Sequence, residues 1–274
     1  MEYLDYETAL NLTLARNHEK ISGNQSKSTG RDKEFNIDTY KNLYELYLNS
    51  GLDVNFTKVR AEFYGPNMRP YYDGENYLLD WNFAQNHYLN FVCGLVTKQI
   101  KKPSTIIDLG AGTGEIVRYI SRAIDAHFVV ADKSIYALDL VKLVNSREGN
   151  NIDTVRIDFA EGTVKVPSDA FVLSTYSLMY LEQNSTQFFS SLLESNPQGG
   201  LFLEPIYSDQ STENSLSNYR RDYFLECGYS TDFLNSFHEV CIQFGYRISF
   251  HHANVLAHNL LLPVSAIGWE RVDN

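Results

Sequence analysis

Cysteine is scarce in this chain: Cys93, Cys227 and Cys241 stand alone among 274 residues, and none is spaced as Cys-x-x-Cys. Three thiols cannot make a complete disulfide framework, so a reducing, cytoplasmic setting is expected. Long apolar runs are missing too, with none near the about 20 residues of a membrane span. The opening residues MEYLDYETALNLTLARNHEK carry early acids and lack the apolar centre of a leader, so no signal peptide and no membrane partner is expected. Basic residues are outnumbered, 23 Lys and Arg against 34 Asp and Glu, for a formal charge of −11. No basic run is longer than Lys101-Lys102 or Arg220-Arg221. A surface this acidic repels phosphate backbones and anionic lipid. Nucleic acid is therefore disfavoured as a partner, and a small neutral or cationic ligand fits better.

What is present supports a sizeable core: 43% of residues are hydrophobic and 14% aromatic, enough for one large domain or one domain with a cap. An amphipathic helix fits residues 3–20. The stretch from Ser22 to Gly30 has no apolar side chain and reads as a mobile loop or lid, taken as 21–34. Tyr40, Leu43, Tyr44, Leu46 and Tyr47 recur at helical spacing and predict a helix over 38–49. Residues 60–83 read as irregular and aromatic. A further helix, about 84–101, is framed by Tyr88, Leu89, Val92, Leu95, Val96 and Ile100 and stops before Pro103. Beyond residue 102 short apolar runs alternate with helical patterns: Thr105–Leu109, His127–Ala131, Thr154–Ile157, Ala170–Thr175, Leu201–Glu204 and two closing strands. Strands alternating with helices imply an α/β domain built on a parallel sheet. The expected division is a helical, aromatic cap over 1–102 and the α/β domain over 103–274.

The sharpest local feature is Ile106-Ile107-Asp108-Leu109-Gly110-Ala111-Gly112-Thr113-Gly114-Glu115. A buried strand meets a tight glycine turn and then a helix start. Three glycines at alternate positions exceed what a plain strand–turn–helix needs, and they suit a backbone that must approach a ligand closely. The dinucleotide fingerprint G-x-G-x-x-G would put its third glycine at 115. Glu115 stands there instead, a carboxylate facing where two phosphates would sit, so NAD is disfavoured. Asp132, 18 residues past Gly114, ends the next strand where a carboxylate can accept two ribose hydroxyls. As an alternative it caps the helix beginning near Ser134. Asp158 ends the strand after that, with Phe159 beside it.

Taken with the strand end Val172–Leu181 and the run Gly199–Glu204, these residues resemble the class I S-adenosylmethionine-dependent methyltransferases over about residues 85–274. The resemblance implies a Rossmann-like, seven-stranded mixed sheet of order 3-2-1-4-5-7-6, flanked by helices, with S-adenosylmethionine as cofactor. It further implies that Asp108, Gly110, Ala111, Gly112 and Gly114 hold the methionine part of the cofactor. By the same analogy Asp132 serves the ribose and Asp158 with Phe159 the adenine, and Lys133, Ser174 and Tyr176 are also expected among the cofactor-binding residues. A cation-bearing cofactor without phosphates suits this ring of acids.

On the acceptor side, the position after the fourth strand reads Ser174-Thr175-Tyr176-Ser177, which lacks the Asn/Asp-Pro-Pro and Pro-Cys motifs of DNA methyltransferases. The expected acceptor is a small molecule, amino-acid-like or a natural-product intermediate. A protein or peptide acceptor, an NAD-dependent oxidoreductase and a non-catalytic S-adenosylmethionine-binding protein are the alternatives. Glu204 is expected as general base or counter-ion; His251, His252 and His258 flank the turn between the last two strands, and His251 or His252 is expected as a catalytic histidine. Adjacent strand residues face opposite ways, and no metal is expected. Tyr71, Tyr72, Tyr77, Trp81 and Tyr207 are candidates for an aromatic acceptor wall, with Arg69 as a carboxylate clamp.

Overall fold

The computed structural model describes residues 2–22, 33–50, 56, 59, 68–72, 75–100, 105–181, 185–207 and 215–272. The chain opens with a two-residue strand β1 (Glu2–Tyr3) and helix α1 (Tyr6–Ser22). A π-helical segment (Lys33–Lys41) then runs directly into α2 (Asn42–Asn49), so helix begins several residues earlier than the expected 38. Of the expected loop over 21–34, residues 23–32 lie outside the described residues.

Part of the stretch read as irregular is a hairpin. β2 (Met68–Tyr72) pairs antiparallel with β3 (Asn76–Asp80), and β1 adds to the far edge of β3. Three residues, Asp73, Gly74 and Glu75, separate the strands, and Asp with Gly is a turn-forming pair. Helix α3 (Trp81–Gln99) follows without a gap because Asp80 is a good N-cap: its carboxylate accepts from the Asn82 and Phe83 amides.

The main sheet comprises β4 (Thr105–Leu109), β5 (His127–Asp132), β6 (Ile152–Arg156), β7 (Phe171–Thr175), β8 (Gly199–Pro205), β9 (Tyr246–Leu256) and β10 (Val264–Arg271). Its order is β6-β5-β4-β7-β8-β10-β9, with the first five parallel and β10 antiparallel to both neighbours. This is the mixed order that the resemblance implied. Every residue of β4 is buried, as a central parallel strand covered on both faces requires.

Alternate strand residues feed two cores. On one face Ile107, Val172 and Phe202 meet α6 (Ser185–Glu194) and α8 (Phe233–Phe244), where Phe189, Phe233, Phe237 and Trp269 form a packed aromatic centre. On the other, Ile106, Val130 and Leu173 meet α3, α4 (Glu115–Ile120) and α5 (Ile135–Glu148). Segments from the N-terminal third pack onto this frame. Leu43 and Tyr47 of α2 lie against Leu140 and Val144 of α5. Leu10 of α1 joins Tyr223 and Phe224 of α7 (Ser215–Glu226) and the loop residues Leu261 and Leu262. No helix among the described residues is long and apolar enough to cross a membrane.

Candidate functional site

The carboxyl end of the parallel sheet is where an open α/β fold leaves a crevice. At the end of β4 the chain turns through Gly110, Gly112 and Gly114, all with left-handed φ (71°, 52° and 66°). The Gly110 and Ala111 amides donate to the Ala131 carbonyl of β5, at 2.7 and 3.1 Å, which pins the turn to the neighbouring strand. A Cβ at Gly110 would overlap the Ser177 side chain, with Ser177 Oγ at 2.6 Å, and one at Gly112 would lie 2.6 Å from the Tyr40 hydroxyl. Both positions demand glycine for space as well as for conformation.

Asp132 ends β5 almost fully buried. Its Oδ2 accepts from the Gly112 amide and its Oδ1 from the Ser134 amide, each at 2.8 Å. One carboxylate thus ties the glycine turn to the start of α5, where Ser134 Oγ accepts from the Ala137 amide as N-cap. Burial raises the Asp132 carboxyl, against the two amides, which lower it.

These features border a cavity of about 470 Å³, within the range of small-molecule and cofactor sites. Of the expected cofactor residues, Gly110, Asp132, Lys133, Asp158, Phe159 and Tyr176 line it. Asp158 accepts from the Ala160 amide at 3.0 Å, fixing the turn that presents Phe159, whose ring packs edge-on against Phe188. Ala111, Gly112 and Gly114 form the turn without lining the cavity. Asp108 and Ser174 sit behind it. Asp108 is fully buried, no hydrogen-bond partner among the described residues meets either oxygen, and burial, with Glu204 and Asp132 nearby, holds its carboxyl well above the usual range.

The sequence reading missed the opposite wall. Phe35, Asn36 and Tyr40 of the π-helical segment also line the cavity, with Ser134, Ser177 and Tyr180. Ser134 Oγ donates to Asn36 Oδ1 at 2.6 Å, and the Phe35 ring meets Tyr180 edge-on at 5.6 Å. The local signal was weak, because a polar stretch followed by mixed residues says nothing of what it covers.

Glu204 does not reach the crevice. It is fully buried, and its carboxylate accepts from the Ser174 hydroxyl (2.8 Å), the Ser177 amide (3.0 and 3.1 Å) and the Met179 amide (3.4 Å). Burial raises it to about 7 despite these donors. Its geometry is that of a buttress for the turn carrying Tyr176, Ser177 and Tyr180. Tyr176 itself is held at φ 52°, an uncommon conformation for a bulky residue.

The expected histidines part company. His251 and His252 are exposed on the edge strand β9 and line no part of the cavity. His258, the third of that group, lies among the rings of Trp81 (5.5 Å), Tyr88 (5.1 Å) and the cavity residue Tyr176 (6.4 Å). Trp81 therefore faces an imidazole, whereas Tyr77 packs on Tyr3 and Tyr207 on Phe224. Tyr72 is half-buried and pairs with Ala257 through its backbone. The side chains of Arg69 and Tyr71 lie outside the described residues. Among the described residues no group of three or more His, Cys, Asp or Glu could hold a metal ion.

Glu115, the residue weighed against a dinucleotide, opens α4 and accepts from Gln85 Nε2 at 3.0 Å. Its carboxylate is thus held against α3 and lines no part of the cavity, so the expected clash with cofactor phosphates has no counterpart in this geometry.

The model of a family described as tellurite resistance protein TehB matches residues 75–219, more than half of the chain. No curated protein matches by sequence. Among solved structures, the chain is similar to magnesium protoporphyrin IX methyltransferase (ChlM) from Synechocystis PCC 6803 with bound S-adenosylhomocysteine. The identity is 13% over 90% of this chain and 100% of that one, with a TM-score of 0.57. It is also similar to geranyl diphosphate C-methyltransferase from Streptomyces coelicolor A3(2), at 9% identity over 70% and 82% with TM-score 0.52. A third similar structure is the [4+2]-cyclase SpnF, at 12% identity over 77% and 90% with TM-score 0.53. At such identities the likeness is one of fold, and the fold serves more than one chemistry.

Proposed function

The chain belongs to the TehB family and is an S-adenosylmethionine-dependent methyltransferase; on that premise we propose that it methylates a small-molecule acceptor, amino-acid-like or a natural-product intermediate, beneath a cap supplied by residues 1–102. The remainder, 103–274, is then the cofactor-binding domain. The observation that carries this reading is the cavity built by the glycine turn, Asp132 and Asp158–Phe159 and covered by Phe35, Asn36 and Tyr40.

The residues present fit S-adenosylmethionine. Asp132 offers carboxylate lone pairs beyond the two amides that it accepts, as ribose hydroxyls require. Phe159 offers an apolar wall for adenine, and Gly110 of the turn borders the cavity beside Asp132. Asp108 beneath that turn, buried and unpartnered among the described residues, holds its proton, and a positively charged ligand nearby would favour its ionised form.

When bound, the cofactor supplies a methyl group already activated by its sulfonium. What remains for the chain is alignment and exclusion of water, for which positioning alone is worth several orders of magnitude in rate. The turn at Tyr176–Tyr180, braced by Glu204, and the covering segment at Phe35–Tyr40 would do this work. Glu204 acts through that turn and not on the acceptor.

Incubation with tritiated-methyl S-adenosylmethionine and a cell extract tests the reading. Label is expected in acid-soluble small molecules. Label confined to precipitated protein, or no transfer at all, contradicts it.

A further inference from the structure

Two adjacent arginines on α7 have opposite surroundings. Arg221 is exposed and reaches Asp222 Oδ1 through Nε (3.2 Å) and Nη2 (3.1 Å). Arg220 is half-buried, and its Nε donates to the Leu260 carbonyl at 2.9 Å. Among the described residues no acid pairs with Arg220, and its two terminal nitrogens meet no acceptor. The ionisable groups that bear on it are the phenols of Tyr72 and Tyr6, and burial pulls its pKa below the usual guanidinium range. In a chain with 34 acids, a partly desolvated cation without a carboxylate is conspicuous, because such a charge is unfavourable until an anion meets it.

Arg220 does not itself line the cofactor cavity, but the loop that it holds reaches a residue that does. Tyr223 and Phe224, three and four residues on, are buried with Leu261 and Leu262, so this face of α7 is turned towards the loop between β9 and β10. That loop is short. Its Leu260 carbonyl accepts from Arg220, its His258 ring lies against Tyr176, and its Leu262 carbonyl is 3.5 Å from the Tyr176 hydroxyl. The two carbonyls are two residues apart, a span of at most about 7 Å between their Cα atoms. Tyr176 lines the cavity. The same loop thus connects a cavity residue to a guanidinium that no acid among the described residues pairs with.

We propose that Arg220 recognises an anionic group, a carboxylate or a phosphate, on the methyl acceptor. This rests on the small-molecule methyltransferase reading and narrows its substrate class to acids. The planar guanidinium suits either group, since with Nε held by Leu260 the terminal nitrogens remain for the ligand. With an overall charge of −11, a local cation favours the approach of an anion that the rest of the surface repels.

The test is calorimetric, with protein first saturated with S-adenosylhomocysteine and then titrated with benzoate, inorganic phosphate and the neutral isostere benzamide. Saturable binding of benzoate or phosphate is expected, with none for benzamide, and whichever anion binds identifies the group. Arg220→Gln is expected to weaken anion binding at least tenfold while leaving S-adenosylhomocysteine affinity unchanged; Arg220→Lys is expected to restore part of it. Absence of anion binding, equal binding of benzamide, or equal anion affinity in Arg220→Gln overturns the proposal. Failure of S-adenosylhomocysteine itself to bind would instead count against the cofactor site, and the same anion titrations on the free protein then judge Arg220 separately.

Discussion

Replacing Gly110 with Ala tests whether the glycine turn is shaped by its neighbour Ser177. The new Cβ overlaps the Ser177 side chain, and φ of 71° is unfavourable for any residue with a Cβ. The conformational part costs about 1–2 kcal/mol. Ser177 must also give way. Its hydroxyl donates to the Leu109 carbonyl at 2.8 Å and shares a 2.7 Å hydrogen bond with Ser174. Losing both buried bonds costs about 2 kcal/mol, so Gly110→Ala is expected to destabilise the protein by about 3–4 kcal/mol. Ser177→Gly alone removes the same two bonds, at about 2 kcal/mol. With Ser177 already truncated, Gly110→Ala adds only its conformational part. The double variant should then be no worse than Gly110→Ala, a coupling of about 2 kcal/mol in a double-mutant cycle. Urea denaturation of the four proteins measures this. Strict additivity would mean that the two side-chain positions do not collide, and the packing argument for Gly110 would fail.

The remaining predictions concern the carboxyls, the cover and the edge strand. Because Glu204 rises from 4.5 to about 7 on folding, the native state keeps a proton that the unfolded chain loses between those values. Stability should fall as pH rises from 5 to 7, with about 3 kcal/mol from Glu204; Asp108 and Asp132 are raised too and act in the same direction. A urea midpoint that climbs across this window contradicts the assignment. Asn36→Ala removes the acceptor of the Ser134 hydroxyl and should weaken S-adenosylhomocysteine binding about three- to tenfold, as expected for one neutral hydrogen bond; unchanged affinity would remove Asn36 from the cover. His251→Ala and His252→Ala, both exposed, should leave methyl transfer within about twofold of the parent, surface substitutions being mild; a hundredfold loss in either would place it at the reacting centre after all.

Much of the frame was legible because its signals are local. The short strand β4, the glycine turn and an acid at or just past the end of each of the next two strands all lie within 54 residues, from 105 to 158. Their physical demands, burial on both faces and backbone at positive φ, show directly in residue type. Glu204 was misplaced at the crevice because strand-end position was the only guide. The deciding facts were the Ser177 and Met179 amides on another strand's loop, which needed a buried acceptor. The cover escaped for a similar reason: Asn36 meets Ser134 across 98 residues of chain, and nothing in either local sequence announces the other. The hairpin of β2 and β3 was different, since Asp73-Gly74 between aromatic runs was a readable turn signal. His258 was visible within its histidine group, but only the fold showed that it, and not His251 or His252, lies beside Tyr176.

The most direct test of the account is calorimetry of S-adenosylhomocysteine and NAD against the parent protein and Asp132→Ala. The parent should bind S-adenosylhomocysteine and not NAD, and Asp132→Ala should lose at least tenfold in affinity, since one carboxylate both shapes the turn and faces the cavity. Binding of NAD in its place, or an Asp132→Ala protein that binds S-adenosylhomocysteine as tightly as the parent, would contradict the assignment of this cavity.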